Sequence, residues 1–83
     1  MVIRILPHAR TRMRERGATV AEVHQCIHGR QQAIAKFGRT RFRRTFRFDQ
    51  LWNGKRYAHK QIDAFAATIP GGWLVVTVIV KYF

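Results

Sequence analysis

The closing stretch, residues 73–83, reads WLVVTVIVKYF and restricts the fold more than any other part of the chain. Leu74, Val76, Val78 and Val80 make one alternating face with no polar atom in a side chain. Trp73, Val75, Thr77, Ile79 and Lys81 make the other. β-Branched residues at this density favour an extended chain over a helix. The run is far too short to cross a membrane as a helix, and Thr77 interrupts it. It therefore predicts a central strand buried on both faces.

A second period-two stretch, residues 41–48, supplies a neighbour. Its even positions are Phe42, Arg44, Phe46 and Phe48, and its odd positions are Arg41, Arg43, Thr45 and Arg47. That pattern predicts a half-buried strand with an aromatic inner face and a basic outer one. Arg44 breaks the inner face and must lie at a sheet edge or in a site. Asn53-Gly54 is a hairpin turn signal, and a further strand is expected within residues 56–69. A three-residue loop at 70–72 would set Ile69 opposite Trp73, Phe65 opposite Thr77 and Lys60 opposite Tyr82. A two-residue Gly71-Gly72 turn would shift that register by one and exchange the faces.

Upstream, residues 2–6 read as a short edge strand or a hydrophobic lead-in. Residues 8–16 read as a helix, with Pro7 suited to its first turn and Gly17 to the left-handed position past its end. Ala9 and Met13 are expected to pack inward. Thr19 stands three residues before Glu22, the capping-box spacing for a second helix carrying Val20, Val23 and Ile27 and closed by Gly29. Residues 30–40 show no clean period and are expected to be a loop or a short strand. The expected fold is α+β: two N-terminal helices packed on a three- to four-stranded antiparallel sheet, a meander, in a single domain spanning residues 1–83.

Charge then narrows the function. Sixteen lysines and arginines face four acids in 83 residues, a net charge of +12, while 47% apolar content is enough for a packed core. Such a chain repels itself and attracts a polyanion, nucleic acid foremost. Most of its basic residues are arginine, which grips phosphate through two nitrogens. Cys26 is alone, which fits a reducing compartment, and the opening MVIRIL carries Arg4 within it. A cytoplasmic site of action is expected, in the producing cell or in a target cell, with no membrane partner.

Four groups of residues invite chemistry. His8, Arg12 and Arg16 recur at helical spacing on one face, either a proton-transfer group beside a phosphate clamp or a solvated basic face. Lys60, Thr77, Lys81 and Tyr82 are polar positions in otherwise apolar strands, either phosphate ligands or a fraying end and a good strand former. His24 and His28 stand at metal-clamp spacing, but Cys26 points away from them and no carboxylates join them, so no metal is expected. Arg41, Arg43 and Arg47, with Arg30 and Arg39 nearby, form a basic strand face suited to phosphates without sequence reading. Glu15, Glu22, Asp49 and Asp63 are too scattered for a two-metal nuclease. Cleavage, if the chain performs it, is then expected on RNA, whose 2′-hydroxyl is an internal nucleophile.

The string His8-Ala9-Arg10-Thr11-Arg12-Met13-Arg14-Glu15-Arg16-Gly17 resembles a family of small, poorly characterised bacterial domains with the pattern His-Ala-x-x-Arg-Met-x-x-Arg-Gly. That family is similar in layout to the barnase–EndoU–colicin–RelE class of toxin ribonucleases. Ala18 departs from the larger aliphatic usual after the glycine. The resemblance implies N-terminal helices on an antiparallel sheet, RNA cleavage without a cofactor, and an acidic antitoxin or immunity partner. On this reading His8 is the general base or acid, Arg12 holds the phosphate, and Lys60 with Thr77 or Tyr82 supports its oxygens. Arg16, Arg41, Arg43, Arg47 and Lys81 draw in the RNA, tRNA or mRNA. The alternatives are a non-catalytic module regulating RNA or DNA, and a RelE-shaped toxin acting on a protein.

Overall fold

Three long strands carry the structure. In the computed structural model, which describes residues 1–29 and 31–83, the chain runs β1 (Val2–Ile5), α1 (Pro7–Arg16), α2 (Val20–His28), β2 (Gln32–Ile34), β3 (Thr40–Trp52), β4 (Lys55–Ile69) and β5 (Gly72–Tyr82). The sheet has five strands in the order β1-β5-β4-β3-β2. β1 lies parallel to β5, and the other neighbours are antiparallel.

The α+β class holds, but two details are corrected. The sheet is five-stranded and mixed rather than three- to four-stranded and antiparallel, and a strand precedes the helices. The physical reason is the crossover: a parallel neighbour requires the chain to leave the sheet and return, which α1 and α2 accomplish over one face. β1 thereby covers the edge of β5 and makes it an inner strand, as expected. The second face of β5 is not buried, however, and Ile79 there is 49% exposed.

Alternation assigns every side chain to a face. Phe42 on β3, Ile62, Ala64 and Ala66 on β4, and Val75 and Val78 on β5 meet Ala9 and Met13 of α1 and Val23, Cys26 and Ile27 of α2. Phe42 and Trp73 pack edge to face with ring centres 4.9 Å apart. The alanines on β4 let the helices approach closely. Among the described residues, α1 and α2 both lie on this face and leave the opposite one uncovered.

The helix ends follow their sequence signals. Thr19 accepts from the Glu22 amide, and Glu22 reaches back to the Thr19 amide. Gly17 ends α1 at φ 79°. A Cβ on Gly17 would stand 2.6 Å from the Tyr82 hydroxyl and 2.7 Å from the Trp52 ring, so backbone and packing both demand glycine.

The last hairpin closes by a two-residue turn, with Ile69 opposite Gly72 and Thr68 opposite Trp73. The register then shifts between Phe65 and Ala66, leaving Val76 as a bulge. Beyond it Phe65 faces Thr77 and Lys60 faces Tyr82. The expected distal pairing is present, reached through a bulge rather than a three-residue loop. No helix among the described residues is long and apolar enough to cross a membrane.

Candidate nucleic-acid interface

Several of the polar residues singled out in the sequence hold the helices in place. Lys60 is only 4% exposed. Its Nζ donates to both Glu22 carboxylate oxygens, at 2.8 and 3.0 Å, and to the Gly17 carbonyl. The Tyr82 hydroxyl donates to the Arg16 carbonyl at 2.6 Å, and the Arg16 guanidinium donates to the Val78 carbonyl at 2.8 Å. Trp52 stacks on Tyr82 at 4.9 Å, and Phe48 and Tyr57 tilt against it at 5.2 and 5.7 Å. Burial, with a smaller contribution from the Glu22 carboxylate, raises the Tyr82 pKa and keeps the phenol a donor. These contacts fasten the α1–α2 turn to β4 and β5.

The structure therefore does not bring His8, Arg12, Lys60, Thr77 and Tyr82 into one site. Lys60 and Tyr82 are paired neighbours on the helix side, and Thr77 lies on the opposite face of the sheet. His8 is exposed in the first turn of α1, about 12 Å along the helix axis from Arg16. Arg12 reaches Glu15 at 3.5 Å. Arg16 belongs with the fastening groups and not with the basic strand face. Arg44 lies beyond the reach of β2, exposed, with its guanidinium 5.5 Å over the Phe46 ring.

The uncovered face of the sheet collects the remaining charge. β3 presents Arg41, Arg43, Thr45 and Arg47. Register sets Phe65, Asp63, Gln61 and His59 of β4 opposite them in turn. β5 adds Thr77, Ile79 and Lys81, opposite Phe65, Asp63 and Gln61. Asp63, 7% exposed, is held by the Arg43 guanidinium through two bonds of 2.8 and 2.9 Å. Arg47 is 89% exposed and touches Asp49 at 3.0 Å. Arg47 lies four residues beyond Arg43, while Arg41 and Arg43 stand two residues apart, about 6.7 Å along the strand. That interval is comparable to the step between phosphates of an extended nucleic-acid strand. Arg30, expected near this face, lies outside the described residues.

His59 is the residue the sequence reading passed over. It alternates with Lys60 along β4, and that parity puts it on the basic face. Arg47 stands directly opposite it. Its backbone pairs with Phe83 through bonds of 2.7 and 3.1 Å, and the two rings stack at 5.2 Å. On α2, the buried Cys26 thiol is pushed up to about 12, mainly by loss of water, and is no nucleophile there. Among the described residues no cluster of three or more His, Cys, Asp or Glu side chains is placed to hold an ion. Comparison with known proteins gives no significant match to a family model, to a curated protein or to a solved structure.

Proposed function

We propose that this protein binds single-stranded RNA along the open face of its sheet, chiefly through phosphates. The observation that carries the reading is the placement of Arg41, Arg43, Arg47 and Lys81 on the one face that the helices leave bare. Two acids meet this row: Arg43 occupies Asp63, and Arg47 touches Asp49. A flat, basic surface follows a flexible backbone more readily than it enters a duplex groove, and phosphate contacts give affinity without sequence preference. An acidic protein partner would compete for the same charge.

A second reading, metal-independent cleavage of that RNA, is favoured by His59. It is a proton-transfer group opposite the Arg47 guanidinium, with Gln61 and Lys81 one step further along the same face. There His59 would take the 2′-hydroxyl proton as the 2′-oxygen bonds to phosphorus. The bond to the 5′-oxygen breaks, water protonates that oxygen, and a cyclic phosphate remains.

Fluorescence anisotropy of a labelled single-stranded RNA across a salt series tests the binding. Joint substitution Arg41→Gln, Arg47→Gln and Lys81→Gln is expected to weaken binding and flatten the slope of log K on log salt by about 2, at about 0.7 per phosphate contact. Unchanged affinity in this triple variant would refute the interface. Incubation of cellular RNA with the protein in excess EDTA tests cleavage, with discrete fragments expected from wild type and His8→Ala and none from His59→Ala.

A further inference from the structure

The hairpin joining β2 to β3 turns at Lys36–Gly38 in an unusual way. Ala35 N–H donates to the Arg39 carbonyl at 2.8 Å, and Arg39 N–H to the Lys36 carbonyl at 3.3 Å. The central residues Phe37 and Gly38 are both left-handed, at φ 62° and 69°. Asn53 and Gly54 make the same kind of turn between β3 and β4, at φ 51° and 83°. Asn-Gly is the pair that such a turn favours, and a phenylalanine in that place is costly. Phe37 contributes nothing to the core in return, since it is 87% exposed. A conformation maintained against its own preference, with the Arg39 guanidinium 5.7 Å over the ring and no core contact in return, invites a binding role.

A cavity of about 390 Å³ lies between this hairpin and the open sheet face. Phe37 and Lys36 line it from the turn, Phe65 and Val76 from the sheet, and Arg39 and Arg41 from β3 and its approach. The Nε atoms of Arg39 and Arg41 are both buried and have no hydrogen-bond partner among the described residues. Asp63 also borders the space, but its carboxylate is engaged by Arg43. Buried donors without acceptors are uncommon in a folded protein. Aromatic and aliphatic walls beside two cationic donors suit a flat ring joined to an anion, and the volume is that of a small-ligand site. A nucleotide has this chemistry.

We infer that this cavity is a base pocket: one unstacked base of the bound RNA enters between Phe37 and the Phe65–Val76 wall, and Arg39 and Arg41 donate to its phosphate. The inference rests on the proposal that the open face binds RNA, and it adds a site that phosphate contact alone does not need. The bulge at Val76 contributes by turning an extra side chain toward the pocket.

The test is Phe37→Asn, which suits the left-handed turn and removes only the ring. Its thermal midpoint is expected to equal or exceed that of the wild type. Its affinity for a short oligoadenylate is expected to fall by about tenfold, with the salt slope unchanged because no charge is lost. An abasic strand of the same length should bind both proteins equally. Equal binding of oligoadenylate by both would overturn the pocket and leave the phosphate interface standing. Failure of the wild type to bind either strand at low salt would refute the interface, and the pocket with it. Adenosine monophosphate binding as tightly as the strand, and equally sensitive to Phe37→Asn, would overturn the assignment to a strand.

Discussion

Lys60 shows how a polar residue in an apolar strand can be misread. From sequence it is equally a phosphate ligand or a structural donor, and only the neighbours across the layer decide. Here the α1–α2 turn delivers the Gly17 carbonyl and the Glu22 carboxylate to it. Replacing it by Met takes this donor from the Gly17 carbonyl and leaves the Glu22 carboxylate with the Thr19 amide. Lys60→Met is expected to lose about 2–3 kcal/mol in urea unfolding, less than for a fully enclosed pair, since the Glu22 side chain keeps 23% exposure. RNA affinity of the folded variant should stay within about twofold, because Lys60 does not reach the open face. A large loss of affinity with intact stability would return Lys60 to the site. The separation of Thr77 from Tyr82 was legible beforehand, since residues five apart on a strand stand on opposite faces unless a bulge intervenes. Which of those faces the helices cover was not, because that depends on the hand of a long-range crossover.

At the scale of elements, local chemistry was readable and distant pairing was not. The Thr19–Glu22 box, the left-handed Gly17, the Asn53-Gly54 turn and the alternation of residues 41–48 are all signals within a few residues, and each appears in the structure. The parallel pairing of β1 with β5 joins residues some seventy positions apart, and four residues of VIRI carry no sign of their partner. The Val76 bulge is equally silent, since an extra valine in a run of valines changes no pattern. α2 seats Cys26 against β4, its Sγ 3.7 Å from the Ile62 carbonyl, and burial moves its pKa from 9.0 to about 12. The unfolded thiol loses its proton near 9 and the folded one near 12, so this contribution is complete below pH 9 and is lost as pH rises toward 12. Urea unfolding from about pH 8 to about pH 10.5 should show stability falling, with a limiting slope of about 1.4 kcal/mol per pH unit from this group. Cys26→Ala, though less stable throughout, should fall less steeply. Parallel curves would assign the alkaline loss to another group, Tyr82 being the candidate, since its pKa is raised as well.

For the whole molecule, the charge has no internal solution. Each of the four acids already has a basic partner: Glu15 with Arg12, Glu22 with Lys60, Asp49 with Arg47 and Asp63 with Arg43. The excess of +12 therefore remains as self-repulsion in the folded state, carried on the open face by Arg41 and Lys81 beside the paired Arg43 and Arg47. Salt relieves that repulsion by screening, so the thermal midpoint of the free protein should rise with ionic strength. A bound polyanion relieves it by contact. RNA at about a hundredfold excess over its Kd adds about 2.7 kcal/mol, which for a chain of this size raises the midpoint by about 10 °C or more. The Arg41→Gln, Arg47→Gln, Lys81→Gln variant separates charge held for binding from charge held for folding. If the face exists to bind, removing three of its cations lessens the repulsion. The variant should then melt higher than the wild type in low salt, respond less to added salt, and gain little from RNA. Scanning calorimetry at two salt concentrations, with and without RNA, reads all three effects. A variant that melts lower in low salt would mean that these cations support the fold through contacts stronger than their mutual repulsion, and the basic face would lose its standing as a surface held open for a partner.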